Sequence, residues 1–411
     1  MPPTDPYAAL RYPEFRRLTF ATFLLTAAIL VQEVVLGYEL YLITRDPLAL
    51  GLLGLAEAVP FIALALFGGH LADRRERLAL MRLSLGTIMA GSLTLAVITW
   101  GDVRAALPQS ALVGAIYATV FVLGLARGIY SPAAASLKAF LVPRELYPNS
   151  SSWNSSFWQA GAILGPAVAG FAYAHLGLTG SLLLVVAALA LAFQEIRGIA
   201  RRPVTQEHAD DLWTSLREGL SYVFRTKVIF YAMTLDMISV FFGGVVAILP
   251  IFAEDILRVG PQGLGILRAA PSVGAFLVML VTAHRPPAER AWRSLLWAVT
   301  GFGAATLVFA LSPSFWLSAA MLFVTGACDS VSVVIRQTLL QVMPPDALRG
   351  RVVAVNSIFV TTSNELGAFE SGVAARLLGT VPSVLFGGAM TLVTVGWIWR
   401  NSKDLLKARL Y

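Results

Sequence analysis

The chain has 411 residues, of which 57% are hydrophobic and only 13% charged, and its mean hydropathy is +0.72. A soluble domain carries roughly 25% charged residues, so most side chains here face something other than water. The net charge of +7 does not indicate nucleic acid, because the basic residues gather in short segments between apolar runs.

Those runs are about 20 residues long, enough to cross a hydrocarbon core of roughly 30 Å. Twelve spanning helices are expected, over residues 18–44, 50–72, 78–100, 111–140, 147–175, 178–198, 229–253, 261–283, 291–312, 315–341, 350–378 and 381–400. The first follows Arg11, Arg16 and Arg17, as a signal peptide would, but it continues to about Thr44. That is too long for a signal's apolar region, so it reads as an uncleaved first helix. A long polar stretch separates the sixth helix from the seventh. Within it Trp213, Leu216, Leu220, Tyr222 and Val223 recur at near-helical spacing, which reads as an amphipathic helix lying on the membrane surface. The expected organisation is a bundle over 1–198, a linker over 199–227, and a second bundle with a short tail over 228–411. With both termini cytoplasmic, 25 of the 31 Lys and Arg residues fall in cytoplasmic segments, the positive-inside bias of a multi-pass protein of an inner membrane.

The second half repeats the first. At an offset of 202, Gly124 maps to Gly326, Pro143 to Pro345, Asn154-Ser155 to Asn356-Ser357, Gly165 to Gly367, Gly170 to Gly372 and Gly177 to Gly379. Nearer the start the offset is 211, and Gly54 maps to Gly265 and Pro60 to Pro271. Six-plus-six parallel repeats are a common plan of secondary transporters.

Between the second and third helices the chain reads Gly69-His70-Leu71-Ala72-Asp73-Arg74-Arg75-Glu76-Arg77. This resembles the signature loop of the major facilitator superfamily, with Glu76 in place of the usual second glycine and Leu78 in place of a terminal basic residue. Arg127 is similar to that family's helix-4 arginine. Gly161, Gly165, Pro166 and Gly170 resemble the helix-5 motif of its antiporter branches. Small residues four apart let helices approach, and Pro166 supplies a bend. Pro13-Glu14-Phe15-Arg16, Gly265-Ile266-Leu267 and Gly350-Arg351-Val352 are similar to the enterobactin-exporter and macrolide-efflux-like branch. The resemblance implies an all-α membrane fold of twelve helices in two six-helix bundles related by pseudo-two-fold symmetry. It implies efflux of a small molecule by a monomer, with Asp73, Arg74 and Arg77 in a cytoplasmic gate and helices 1, 4, 7 and 10 around a cavity.

Ionisable residues inside the membrane are costly and default to functional candidates. Here they are Glu33, Glu57, Arg127, Asp236, Arg268, Asp329, Arg336, Glu365 and Glu370. By the repeat, Glu57 is equivalent to Arg268 and Arg127 to Asp329, so each half carries opposite charge where the other has its partner. Glu57 and Arg268 are therefore a candidate pair. One reading of the set is structural ion pairing that fixes helix register. The other is a carboxylate that gains and loses a proton as an arginine withdraws and approaches. For the second role the candidates are Asp329, Glu33 and Asp236, with Arg127 as partner. Arg336, Glu39 and Arg376 lie near helix ends, where long side chains reach the interface. Asn154, Trp158, Asn356 and Glu365 are candidate cavity residues.

The single cysteine, Cys328, and four scattered histidines give no disulfide and no metal or haem spacing. No phosphate-binding loop or nucleophile elbow is present, so an enzyme is not expected and no cofactor is implied. The expected function is proton-coupled efflux of a hydrophobic or amphipathic compound, drug-like or siderophore-like, through a lipid bilayer. Lipid translocation or solute uptake on the same fold, and a non-transporting sensor or scaffold, are the alternatives.

Overall fold

The computed structural model describes residues 5–138, 140–200, 212–284 and 291–405, with the side chains of 65–74, 212–215, 283–284 and 346–347 outside that description. Its long elements are α1 (Pro13–Thr44), α2 (Pro47–Arg74), α3 (Arg77–Ile98), α4 (Gln109–Lys138), α5 (Tyr147–Arg197), α6 (Leu212–Arg225), α7 (Lys227–Phe242), α8 (Gly260–His284), α9 (Ala291–Leu311), α10 (Phe315–Val342), α11 (Asp346–Leu378) and α12 (Thr380–Asn401). No strand occurs among the described residues. Helices are the expected solution, because a span in lipid must satisfy its own backbone hydrogen bonds.

Among the described residues, ten helical stretches are long and apolar enough to cross a membrane. One of them, Arg144–Arg197, has 54 residues, about 80 Å at 1.5 Å per residue. It folds at Gly177, whose φ of 67° and ψ of −173° leave the helical region. Its repeat counterpart Gly379, with φ of 94°, separates α11 from α12. α11 has 33 residues, long enough to span, but Asn, Ser, Thr and Gly make it less apolar, and it is not among the ten. Twelve spans therefore require α5 to count twice and α11 to be included. A second repeated feature is a left-handed arginine just before the second long helix of each half, Arg45 (φ 50°) before α2 and Arg258 (φ 53°) before α8.

The seventh expected helix, 229–253, is not continuous. α7 stops at Phe242, and Gly243-Gly244 leads into short irregular turns from Val245 to Ile256. Two consecutive glycines are the weakest helix formers short of proline. A Cβ on Gly244 would sit 3.1 Å from the Gly367 carbonyl of α11, so the break also permits close packing.

The chain divides into two compact units: residues 1–45, 55–208 and 264–269 form the first, and 46–54, 209–263 and 270–411 the second. In the first, α1 runs along α5. Cβ atoms on Gly161 and Gly165 would lie 3.0 Å from Thr26 and Leu30 of α1, while one on Gly265 would lie 2.7 Å from the Pro166 carbonyl and 3.0 Å from Gly170. The two ends of the helix-5 motif thus serve two different contacts. In the second unit Gly367 meets Val240 and Phe241 of α7, and Gly372 meets Gly51. The core there gathers Trp292, Leu235, Leu295, Ile335, Leu339 and Ile398, with the Trp292 indole donating to Ser402 at 2.9 Å.

α6 forms where the amphipathic spacing places it, and part of its apolar face packs on protein while Leu220 and Phe224 stay exposed. Val223 is only 2% exposed and packs with Ile229, Met233, Leu340, Val352 and Val355. The Tyr222 hydroxyl donates to the Met343 carbonyl at 3.0 Å, and Glu218 is ion-paired with Arg351. The helix is a brace on α7, α10 and α11, because burying that face against protein satisfies the same pattern as lipid would.

Candidate binding site

In the first unit α1, α2, α4 and α5 enclose a cavity of about 320 Å³. α1 contributes Thr22 and Thr26, and α2 contributes Phe61. From α4 come Arg127, Ser131, Ala134, Ala135 and Lys138, whose spacing is that of one helical face, together with Tyr130. α5 adds the two sequence candidates Asn154 and Trp158, the latter 51% exposed. The wall mixes aromatic rings, aliphatic surface and a few polar groups, as small-molecule sites do.

Arg127 reaches this cavity while ion-paired with Glu57 of α2, and its guanidinium lies over the Phe61 ring at 5.8 Å. Gly124, one turn earlier on α4, makes the pairing possible. A Cβ there would sit 2.8 Å from Pro60, so only glycine lets α4 and α2 close up at that level. Arg127, the expected partner of Asp329, is thus committed to Glu57 in this structure.

Glu57 and Arg268, the candidate pair drawn from the repeat, take different partners. Arg268, with its side chain 9% exposed, is ion-paired with Glu33 of α1. The physical reason is that repeat-equivalent residues occupy the same place in their own halves, and each meets what its own surroundings supply. Asp236 of α7 is ion-paired with Arg336 of α10, with side chains 6% and 3% exposed. Arg336 therefore does not reach the interface. It lies with Leu235, Ile335 and Leu339 in the core of the second unit. Asp329 stands seven residues before Arg336, on the same face of α10, half-buried and within the electrostatic reach of both Asp236 and Arg336.

Other candidates fall in different places. Asn356 is 3% exposed, whereas its counterpart Asn154 lines the cavity. Glu365 is half-buried on α11. Gly69, Asp73 and Arg74 belong to α2, but their side chains lie outside the described residues; Arg77, which opens α3, stacks over Phe140 at 4.5 Å. Cys328 is a packing residue, its Sγ 2.8 Å from where a Cβ on Gly301 would be. The second unit has its own cavity of about 470 Å³, walled by Met237, Phe241, Phe242, Phe359 and Leu366.

Two features escape a reading of the sequence. Lys138 lines the first cavity and has no ion-pair or hydrogen-bond partner among the described residues. Tyr130, 8% exposed, has a hydroxyl that is also without a partner among them. A buried hydroxyl left so costs about 1–3 kcal/mol. Glu39, expected to reach the interface, is instead 4% exposed: it takes a salt bridge from Arg104 at 2.6 Å and a hydrogen bond from Tyr173, which ties the short helix Gly101–Ala106 to α1 and α5. A tyrosine or lysine at a helix end is common, and only its surroundings mark it.

Membrane-length helices that bury ion pairs and enclose a mixed polar and aromatic cavity define a multi-pass membrane transporter. The chain belongs to the Major Facilitator Superfamily, whose profile matches residues 18–367. The enterobactin exporter EntS of Shigella flexneri is 23% identical over 387 residues, spanning 93% of this chain and 90% of that protein. The enterobactin exporter EntS of Escherichia coli O1:K1 is likewise 23% identical over 387 residues, with the same coverage of 93% and 90%. Among solved structures, nucleoside transporter NupG superposes with a TM-score of 0.71 at 14% identity, over 95% of this chain and 99% of that one. A D-xylose-proton symporter gives 0.70 at 15%, over 97% and 98%, and a bacterial homologue of iron transporter ferroportin gives 0.70 at 15%, over 96% and 99%. At such identities the structural likeness establishes the fold alone.

Proposed function

We propose that this transporter is a secondary active exporter of the cytoplasmic membrane, moving a hydrophobic or amphipathic small molecule outward in exchange for protons by alternating access. The observation that carries this reading is the first-unit cavity of about 320 Å³, where Trp158 and Phe61 offer aromatic surface beside the Arg127–Glu57 pair. The named exporters among the relatives support the outward direction. The asymmetry of Lys and Arg supports cytoplasmic termini. The working unit is a monomer.

Proton coupling requires a carboxylate that water can reach at some stage and that an arginine can release. Glu33, with a side chain 42% exposed and paired to Arg268, meets that requirement, as does half-buried Asp329. Asp236 is better assigned a structural role, since both it and Arg336 are almost wholly inside the core. The experiment is flux in everted membrane vesicles under an imposed pH gradient, with a panel of anionic, neutral and cationic dyes. Proton-driven accumulation of at least one dye is expected. Uptake in right-side-out vesicles instead, or flux indifferent to the gradient, would replace the export reading with solute uptake or with uncoupled translocation.

A further inference from the structure

The charges of the first-unit cavity do not balance. Its wall carries two ionisable cations, Arg127 and Lys138. Glu57 neutralises the first. Among the described residues nothing neutralises the second. A half-buried ammonium with no counter-ion among the described residues is an unfavourable arrangement unless something occupies the site. On the same helix the Tyr130 hydroxyl is buried and unpartnered, so a second polar group in this wall also lacks its complement. Trp158 supplies the third element. It is 51% exposed on this wall, and it stacks on no other ring among the described residues.

We propose that this cavity is a binding site for an aromatic anion, with Lys138 pairing its carboxylate or phenolate and Trp158 covering its ring. The assignment rests on the export reading for its place in transport and narrows the substrate to an acidic aromatic class. Lys138 lies eleven residues beyond Arg127, about 16 Å along α4. The acidic group is therefore held at the Lys138 end of the cavity, away from the occupied Arg127–Glu57 pair. A cationic ligand of the same shape would meet uncompensated positive charge, and a neutral one would leave the ammonium unpaired.

The test is equilibrium binding to the full-length protein in nanodiscs of neutral phosphatidylcholine, by calorimetry, with 2-naphthoate, 2-naphthamide and 2-naphthylmethylammonium as matched probes. The expected order is naphthoate tightest and the cation weakest. Lys138→Gln is expected to weaken naphthoate about tenfold or more, the scale of a lost charge-assisted hydrogen bond, and to leave naphthamide unchanged. Lys138→Arg should keep most of the preference, and Trp158→Ala should weaken all three probes. A melting temperature of Lys138→Gln equal to that of the wild type shows that this variant is folded. Equal affinity for naphthoate and naphthamide in the wild type, no naphthoate binding at millimolar concentration, or undiminished naphthoate binding by Lys138→Gln would each overturn the proposal. Flux is not measured, so failure here leaves export of another class standing. Binding without vesicle transport would count against export alone.

Discussion

Gly326 of α10 packs directly onto Pro271 of α8, so that a Cβ on the glycine would run into the proline's own backbone. Gly124 of α4 meets α2 in the other half, where a Cβ would run into the Glu57 carbonyl and the Pro60 ring. In each case a proline-bent helix lies against the one smooth position of its neighbour. Three residues beyond each glycine stands a charge, Arg127 in one half and Asp329 in the other. The contact sets the height of the charges, so it is a structural precondition of the site as well as a packing detail.

Substitution by alanine tests the contact. Gly124→Ala and Gly326→Ala should each destabilise the protein by about 1–3 kcal/mol, the usual cost of overpacking. Gly114→Ala, also on α4 but with nothing within 4 Å of its Cβ, should be neutral or slightly stabilising, since alanine is the better helix former by about 1 kcal/mol. Thermal unfolding of the detergent-solubilised variants, read by intrinsic fluorescence, distinguishes them. Equal melting temperatures for all three would mean that the helices do not approach as described.

The Asp236–Arg336 pair should behave as a buried structural pair. Removing one partner leaves a charge without compensation, so Asp236→Leu and Arg336→Met should each lose about 3–5 kcal/mol. The double variant should recover most of it, because a well-packed apolar pair is often no worse than a buried ion pair. A double-mutant cycle on melting temperature gives the coupling. Additive losses would show that the two residues do not depend on one another, and would return Asp236 to the list of proton carriers.

What sequence makes legible here follows from what the membrane enforces. Spans of about 20 apolar residues are obligatory in lipid, and a parallel repeat keeps Gly, Pro and Asn at fixed offsets, so the fold and the Gly124/Gly326 and Gly177/Gly379 equivalences are visible at once. Partners of the charges are not. Arg336 stands six residues from the end of α10 and reads as a helix-end charge, yet it is 2% exposed, because distance along a helix does not say which face a side chain takes. Lys138 ends α4 and reads as one more cytoplasmic-side cation; only the cavity beside it and the lack of a counter-ion among the described residues single it out. The α7 break was signalled by Gly243-Gly244 within an apolar run, but the run's length outweighed it. Arg45 and Arg258 carry no signal at all, since a non-glycine residue at positive φ has no compositional mark.

Because α6 is a brace, its buried and exposed positions should respond differently. Val223→Asp, at 2% exposure, should lower the melting temperature sharply by burying a charge among Ile229, Met233 and Val352. Leu220→Asp and Phe224→Asp, at 38% and 58% exposure, should change it little. Membrane insertion, followed by protease protection in vesicles, should be normal in all three. The reverse ranking would restore the picture of a helix held by the membrane surface.

The coupling assignment is tested by separating proton movement from substrate movement. Net proton-driven export needs a carboxylate that changes protonation in each cycle, whereas exchange of substrate across the membrane does not. Glu33 and Asp329 remain after Asp236 is assigned to the core. Neutralising a coupling carboxylate fixes it in its uncharged form, so the protein can still reorient with substrate but cannot couple that step to a pH gradient. Arg268 enters the argument as the group that Glu33 holds here. Glu33→Gln, Asp329→Asn and the double variant should therefore be compared in everted vesicles, with gradient-driven accumulation and substrate exchange measured separately on the same preparation. One of the two single variants is expected to lose accumulation by at least tenfold while keeping exchange within about twofold, and the double variant should look like the more affected single one. Loss of both activities together would mark a residue needed for binding or folding. Full gradient-driven accumulation in all three would show that neither carboxylate carries the proton, and would move the search to Glu57 and to Asp236.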